Sequence, residues 1–570
     1  MFKPFAPILL AILPTTAAIP QLQYASPLFG SGSGIAYDAI STADGGQVIC
    51  GGFTETMDLD PGAGMFEVTS VGGEDAWVAK FDASGGFLWG LNVGSDGDDQ
   101  ARAITVDENG DIHVAGYFVN SIDLDPGVGV SVETSAGDRD VFLLKLDGNG
   151  QYLWSGRIGG TLRQFPTGID RDLAGHIYIC GYIAGTADFD PGPGILNVST
   201  TNPGLITETN ISFLAKYDLS GSPVWAYTLG GITPHIAVEQ GGNAIYLTNG
   251  HGADATTLED FDPQSGTLRP VNNGQPEADY MSLIKYDGSA NVLWSVFVRG
   301  YPSFEINFNK GNALALDVNG DVYWAGVFLD DFTEYPGNDV TLAPVGTGID
   351  GFLLKYGSNG ELLWEKRFGA PDADDTCTEL MFGNDGSIWV AGAFHDTAEL
   401  NSAGTSVTAV SAGEWDIFLA AFEPSGEYVW HGSLGGPGFD GIPSLTANGG
   451  EIRLSGYFSA TADLDPTTGL STHSAIGPND AFISSFTPSI SSSLIDNTLS
   501  PSYPIYPNPA STIVFFGPGW STGSLEVIDA VGRRVPVPPY IDRLDVSAWN
   551  EGVYLIRSAG IATARLIVVH

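Results

Sequence analysis

Positive charge is what this chain lacks most: 22 Lys and Arg stand against 67 Asp and Glu in 570 residues, a formal net charge of −45. A surface of that sign repels a phosphate backbone, which argues against nucleic acid as a partner. Cysteine is nearly missing, with only Cys50, Cys180 and Cys377. Three thiols are too few, and odd in number, for a disulfide framework. No stretch beyond the N-terminus reaches the roughly 18 uninterrupted apolar residues of a membrane-spanning helix, so no transmembrane anchor is expected. The 8 histidines are scattered. HExxH, GxSxG and CxxC motifs are missing, as is any glycine-rich phosphate loop between a strand and a helix.

What is present points to strands. The chain holds 76 Gly, 34 Pro and 12 Trp, and is 43% hydrophobic. Disordered chains lack such aromatic and aliphatic content. Abundant glycine among aromatic and β-branched residues means many short strands joined by tight turns. The N-terminal "MFKPFAPILLAILPTTAAIP" has one lysine, an apolar run from Phe5 to Leu13 and small residues ending at Ala18. It reads as a signal peptide over 1–18, so the mature protein is expected outside the cytoplasm.

Self-similarity dominates the rest. Tryptophan recurs every 65 to 71 residues at Trp89, Trp154, Trp225, Trp294, Trp364 and Trp430, each closing a phrase such as "KFDASGGFLW" or "KLDGNGQYLW". A second phrase precedes it in register: "ICGGF", "HVAGYF", "YICGYI", "YWAGVF", "WVAGAF" and "RLSGYF". The fourth unit carries the degraded "YLTNG" at 246–250, followed by an insertion. The seventh contains "DAFISSF" at 480–486 with no Trp phrase after it, whereas "LQYASPLFG" precedes the first unit with Tyr24 in the Trp slot. The N-terminal segment therefore looks like the missing end of the seventh unit. Each unit offers about four strands, nearly continuously apolar as in "DIHVAGYF", too few to cover both faces alone. Stacking neighbours and closing the ring solves that and leaves no exposed edge. The expectation is an all-β chain: a seven-bladed β-propeller over 24–486, with the six Trp packed between blades. Cys50 and Cys180 then occupy the slot of Ala115, Ala325, Ala391 and Ser455, a small buried strand position.

The phrases "AGYF", "DLDPG", "DVFLLKLD" and "GQYLW" resemble the seven-bladed β-propeller repeats of secreted bacterial proteins. That resemblance implies fold and secretion rather than an activity.

Residues 487–502 are Ser-rich and linker-like. From 503 to 570 alternating and apolar strands separated by turn residues predict a small antiparallel β-sandwich. The residues Tyr506, Pro507, Asn508 and Pro509, the phrase "VIDAVGRRV" with Asp529, Gly532 and Arg533, "GVYLIR" with Gly552 and Tyr554, and the terminal "RLIVV" with Arg565 resemble the C-terminal sorting domain of the type IX secretion system of Bacteroidetes-type bacteria. Arg565 stands where that family usually has lysine. The resemblance implies passage across the outer membrane through the type IX machinery, ending at the cell surface or in the medium.

One motif carries candidate chemistry. Variants of D-x-D-P place Asp58 with Asp60, Asp123 with Asp125, Asp188 with Asp190 and Asp463 with Asp465, each five residues after the "GYF" phrase, and "DFDPQ" stands at 260–264. Units four, five and six depart from this pattern, with Thr333 and Tyr335 in the fifth and Glu399 and Asn401 in the sixth. Two readings stand. The aspartates of a pair share one face of an extended chain and are candidate calcium ligands, or they accept local backbone N–H groups while Pro-Gly turns the chain. Calcium wants six to eight oxygens, so two carboxylates would need help. His113 and His176 share one strand phase and read as packing. "DENGD" (107–111) and "DVNGD" (317–321) read as hairpins rather than calcium loops. The D-x-x-G-x-x-x-W phrase is similar to the repeats of quinoprotein dehydrogenases and to sialidase Asp boxes, but differs from both in spacing.

Two functions follow. The first is a non-enzymatic surface or secreted module holding a polysaccharide or protein ligand on blade-top loops, with the insertion at 250–266 as a ligand-specific loop. The alternative is an exported enzyme, a hydrolase or quinoprotein-like, with its site at the central channel.

Overall fold

The computed structural model describes residues 20–200, 211–251, 260–264, 267–268, 280–299, 310–329, 332–335, 341–371, 373–401 and 407–488, with short strands between 505 and 568. The signal peptide and most of the linker and of the insertion lie outside the described residues. The chain divides into two units, Met1–Ile490 and Ser491–His570.

The larger unit is a seven-bladed β-propeller, and among the described residues no helix occurs. Blade 2 shows the plan: Gln100–Val106, Ile112–Phe118, Asp140–Leu146 and Tyr152–Gly160 pair in order as an antiparallel meander. The second and third strands are buried throughout their length, because blades on either side cover both faces. The first strand alternates, and the fourth is half exposed at the rim. The first strands of successive blades adjoin one another all the way round, so they form the innermost ring.

The ring closes as the repeat arithmetic requires. Gln21–Leu28 pairs with Asp480–Thr487 and completes the blade formed by Gly441–Asn448 and Glu451–Phe458. Tyr24 faces Ser485 in the register in which Trp89 faces Lys80, Trp154 faces Lys145 and Trp364 faces Lys355.

Neighbouring blades are joined at two ends. At one end lie the turns between first and second and between third and fourth strands. There the Trp Nε1 of one blade donates to a turn carbonyl of the next: Trp89 to Gly148 (3.3 Å), Trp154 to Leu219 (3.2 Å), Trp294 to Ser358 (3.0 Å) and Trp364 to Pro424 (3.0 Å). The lysine opposite the Trp reaches the same carbonyl in three blades: Lys80 at 3.3 Å, Lys145 at 3.5 Å and Lys285 at 3.2 Å. They are also paired within their own blade, Lys80 with Asp44 (2.7 Å), Lys145 with Asp107 and Asp111 (3.1 and 3.0 Å) and Lys285 with Glu239 (3.6 Å), as is the buried Lys355 with Asp321 (3.0 Å). At the opposite end a short hairpin between second and third strands straps across to the outer strand of the preceding blade, as where Gly159 and Gly160 pair with Asp188 and Ala187.

In the smaller unit Ile505–Tyr506, Ile513–Phe516 and Arg543–Asp545 form one three-stranded sheet, and Leu525–Ile528, Gly552–Ser558 and Ala562–Val568 another. Two small antiparallel sheets are the makings of the expected β-sandwich. Tyr506, Gly552, Tyr554 and Arg565 lie on these strands, with Leu555 opposite Arg565. Pro507, Asn508, Pro509, Asp529, Gly532 and Arg533 lie outside the described residues.

The third-to-fourth-strand turn seats the Trp, and its glycine shows how closely. A Cβ on Gly150 (φ +78°) would lie 2.8 Å from the Trp89 ring, whereas one on Gly110 (φ +83°), in the other turn of the same blade, would meet nothing within 4 Å. Gly110→Ala is therefore expected to cost only the left-handed backbone term, about 1 kcal/mol. Gly150→Ala adds displacement of a docked indole and should cost at least about 2 kcal/mol. Paired denaturant melts measure the difference, and equal losses would contradict Trp docking as the source.

Candidate functional site

The D-x-D-P motifs sit at the start of the strap hairpins. Asp123 Oδ1 accepts the amides of Asp125 (3.1 Å) and Ser131 (2.8 Å), and Asp125 Oδ1 accepts that of Gly127 (2.8 Å). The other copies repeat these bonds. Asp58 Oδ1 accepts the amides of Asp60 (3.0 Å) and Phe66 (2.7 Å), and Asp60 Oδ1 that of Gly62 (2.8 Å). Asp188 Oδ1 accepts those of Asp190 (3.1 Å) and Leu196 (2.7 Å), and Asp190 Oδ1 that of Gly192 (2.8 Å). Asp463 Oδ1 accepts those of Asp465 (3.2 Å) and Ser471 (2.7 Å), and Asp465 Oδ1 that of Thr467 (2.8 Å). The residue between the two aspartates, Leu59, Leu124, Phe189 or Leu464, is buried in the blade core. The motif also extends further than its sequence signature. A Cβ on Gly64, Gly129, Gly194 or Gly469 would strike Oδ2 of the second Asp at about 2 Å, so the working unit is D-x-D-P-x-x-G.

These bonds are those of the turn reading, for the second aspartates, Asp60, Asp125, Asp190 and Asp465, as for the first, Asp58, Asp123, Asp188 and Asp463, and the calcium reading is left to chelation. In all eight, Oδ1 is turned to backbone N–H donors, whose positive ends would repel a cation. A calcium shell needs acceptor oxygens gathered around one point. Among the described residues no three His, Cys, Asp or Glu converge to hold a metal ion, at these aspartates or elsewhere.

The fourth blade corrects the expectation that it departs from this pattern. Asp260 Oδ1 accepts the amides of Asp262 (3.1 Å) and Leu268 (2.9 Å), and Phe261 is buried like its counterparts. The insertion only delays the motif, because the strap still has to be made. At the hairpin tips Met65, Val130, Ile195 and Leu470 occupy one slot and are largely exposed.

A second set of acids lies buried where each blade meets the next. Asp75, Asp99, Asp350, Asp375 and Asp440 each accept an amide four or five residues earlier, from Val71, Ser95, Val345, Ala370 and Gly436. Burial pushes Asp75, Asp99 and Asp350 up to about 6, Asp440 to about 7, and Asp375 to about 8, where the Asp350 charge adds to it. His113 is buried against Asp107 (3.0 Å), and burial lowers its pKa. The cysteines are free and buried. Burial pushes the Cys180 thiol up to about 12, so it is inert as a nucleophile.

A constellation unlike these lies at the strap end of blades 1 to 3, on the inner rim. The innermost strands carry β-bulges there: the ladder skips Tyr37 between Ala36 and Asp38, and Arg102 between Ala101 and Ala103. The bulged Arg102 lays its guanidinium over the Tyr37 ring (3.9 Å) and near the Phe165 ring (5.3 Å). Phe165 stacks on Tyr182 (5.2 Å, interplanar angle 6°) and leans on Tyr117 (5.0 Å), over which Arg139 sits at 4.8 Å. Glu74 is held by the Tyr37 hydroxyl (3.2 Å) and by Gln100. All but the buried Tyr117 are half-buried. The sequence reading missed this cluster, because it followed phrases that repeat and these residues sit where the repeats differ.

Comparison with known proteins locates the C-terminal unit. The family model of the secretion system C-terminal sorting domain matches residues 504–568. The protein is thus exported by type IX secretion, to the medium or the cell surface, with that machinery as a partner. Among the described residues no helix is long and apolar enough to cross a membrane. An uncharacterized WD repeat-containing protein of Acanthamoeba polyphaga mimivirus is 21% identical over 65% of this chain, and the regulatory protein FlaEY of Caulobacter vibrioides is 26% identical over 32% of it. The chain spans 31% and 18% of the lengths of these two curated relatives. Among solved structures, Sqt1 of Chaetomium thermophilum (9% identity, TM-score 0.35, 80% of this chain and 88% of that one) and a quinohemoprotein alcohol dehydrogenase of Pseudomonas putida HK5 (12%, 0.32, 86% and 79%) are similar.

Two measurements test the acids. With the D-x-D-P carboxylates serving as backbone acceptors, chelation is expected to leave the melting temperature unchanged. Asp123→Ala should then cost about 1–2 kcal/mol and Asp123→Asn less; a melting temperature that falls on chelation would transfer the motif to calcium.

The buried junction acids hold their protons more tightly folded than unfolded. Their stabilising effect is full below the unfolded carboxylate range near ~4 and is lost as pH rises through about 6 to 8. Asp44, lowered to about 2 by its bond from Lys80, acts oppositely: its contribution is full above ~4 and lost on acidification. Thermal melts should therefore peak near pH ~4 and fall progressively towards pH ~8.5. Asp375→Asn should flatten the alkaline limb; an unchanged limb would refute the assignment.

Proposed function

We propose that this exported propeller is a non-enzymatic binding module that presents the inner rim of blades 1 to 3 to an extracellular polysaccharide or protein ligand. The observation that supports this reading is how the polar groups divide. The repeated acids hold backbone amides, and the repeated lysines hold turn carbonyls or acids of their own blade. Arg102, Tyr37, Phe165, Tyr182 and Arg139 are half-exposed and differ from blade to blade. Keeping the frame while varying one patch is how a repeat scaffold carries a binding surface.

A second reading has its own support. Asp38, Asp170, His235 and Glu379 lie on the innermost strands around the central channel, and burial pushes Asp38 and Asp170 up to about 6 and His235 down to about 4. Perturbed groups lining a channel suit an exported enzyme. Against that, Asp38 accepts the amides of Ala39 (2.8 Å) and Ile104 (2.9 Å), and Asp170 those of Arg171 and Val238 (both 2.7 Å). Each carboxylate ties one blade to the next and is not aimed at a shared point.

The full exported chain, purified from the medium or released from the cell surface, separates the two. A glycan and protein array is expected to return saturable binding without turnover. Turnover on a hydrolase or dehydrogenase panel that is lost in Asp38→Asn would overturn the binding reading.

A further inference from the structure

The Arg102 cluster poses a question of charge. This chain carries about three acidic residues for every basic one, and many of its basic groups are paired: Lys80, Lys145 and Lys355 with turn acids, Arg157 with Asp140 (2.6 Å), and Arg453 with Glu451 (3.2 Å). Arg102 and Arg139 are not. Among the described residues neither has a carboxylate within ion-pairing distance, and the Nε of each is buried without a hydrogen-bond partner. Glu74 lies within reach of the Arg102 charge but bonds Tyr37 and Gln100. The single hydrogen bond of the Arg102 guanidinium goes to Gln100 Oε1 (3.3 Å). Two guanidiniums without a direct ion pair, Arg102 over Tyr37 and Arg139 over Tyr117, thus flank a Tyr117–Phe165–Tyr182 stack.

The rest of the cluster narrows the anion. Guanidinium forks match a planar carboxylate in bidentate fashion and keep their charge at every physiological pH. Tyr182 stacks one face on Phe165 and stays half-exposed; burial raises its hydroxyl pKa, against the opposing charges of Arg139, Arg163 and Arg102. A flat ring beside guanidiniums suits a ligand with an apolar ring face and one carboxylate. Glu74 and Gln100 supply an acceptor and an amide for hydroxyl groups. An acidic peptide such as tetraglutamate offers carboxylates without a ring face for Tyr182, which disfavours it.

Resting on the reading of this chain as a binding module, we propose that the inner rim of blades 1 to 3 binds a uronic-acid-bearing oligosaccharide, its carboxylate on Arg102 and Arg139 and its ring face on Tyr182.

Titration calorimetry on the full exported chain tests this with three probes: an oligogalacturonate, its fully methyl-esterified form, and tetraglutamate. The oligogalacturonate is expected to bind, more weakly as salt rises. Esterification, Arg102→Gln and Arg139→Gln should each weaken binding about tenfold or more, equal to about 1.4 kcal/mol. Melting temperatures of the two variants check that the blades persist. The comparison of ester with acid needs no variant and decides the matter even where one fails to fold. Equal binding of ester and acid, unchanged affinity in both folded variants, or tighter binding of tetraglutamate would each overturn the proposal. Binding of some other glycan, indifferent to Arg102→Gln, would sink this site and leave the binding module standing. Turnover in place of binding would sink both.

Discussion

Everything in the larger unit hangs on one contact: an indole N–H and a lysine of one blade converging on a turn carbonyl of the next. A four-stranded sheet has no core of its own, and its middle strands become stable only when neighbours cover both faces. Covering alone is non-directional and would let blades slide. The Trp89 and Lys80 bonds to Gly148 O, and their counterparts from Trp154 and Lys145 to Leu219 O, fix register between blades at one end. Burying a lysine is costly unless it is paired, and the first turn of the same blade supplies the acid. Three segments far apart in sequence thus have to arrive together, which makes each blade a condition for the next.

The places where that contact is altered show what it does. The seventh blade has no third-to-fourth-strand turn, because its outer strand comes from the N-terminus. Trp430 finds no carbonyl there and stacks on Phe486 instead, at 5.2 Å. In the other direction Tyr24 takes the Trp slot against Gly85, and Arg453, wholly buried, donates to Ala83 O at 3.2 Å. A different residue on a different strand replaces the lysine, yet the accepting position is the same. Ala290 stands in the glycine slot opposite blade 3 with φ +64° and no exposure, a conformation alanine adopts only under tertiary constraint. Chemistry at the junction varies, while the geometry of a held turn does not.

Legibility follows from this. The blade count, a closing N-terminal segment with Tyr24 in the Trp slot and the recurrence of the Trp could be read because each follows a fixed interval, and recurrence is what a single sequence can display without relatives. Apolar runs such as "DIHVAGYF" gave away strands covered on both faces. The D-x-D-P motif was legible as a position but not as a bonding pattern, since its closing glycine and the amide eight residues on lie outside the phrase that catches the eye. Two carboxylates on one face suggest a cation until the amides that fill Oδ1 of Asp60, Asp125, Asp190 and Asp465 are in view. The fourth copy looked displaced because spacing was counted along the chain, whereas the strap is fixed in space. The Arg102 cluster was not legible at all. Tyr37, Arg102 and Phe165 come from three blades and meet because bulges in the innermost strands turn Tyr37 and Arg102 out at the rim where Phe165 pairs with Tyr182.

Repetition and difference therefore carry separate information. A ring of seven similar blades imposes the same packing demand seven times, and slots bound by it cannot change without loss of the ring. Slots free of it drift, and a half-buried guanidinium without a direct ion pair is kept at a cost, because burial removes part of its water and no carboxylate bonds it in return. An acidic surface with 67 carboxylates to choose from could have neutralised Arg102 and Arg139 by a single substitution. Leaving them without a direct ion pair on an aromatic platform makes sense when the compensating charge arrives with a ligand, which is why the proposed binding site lies where the symmetry of the ring is broken.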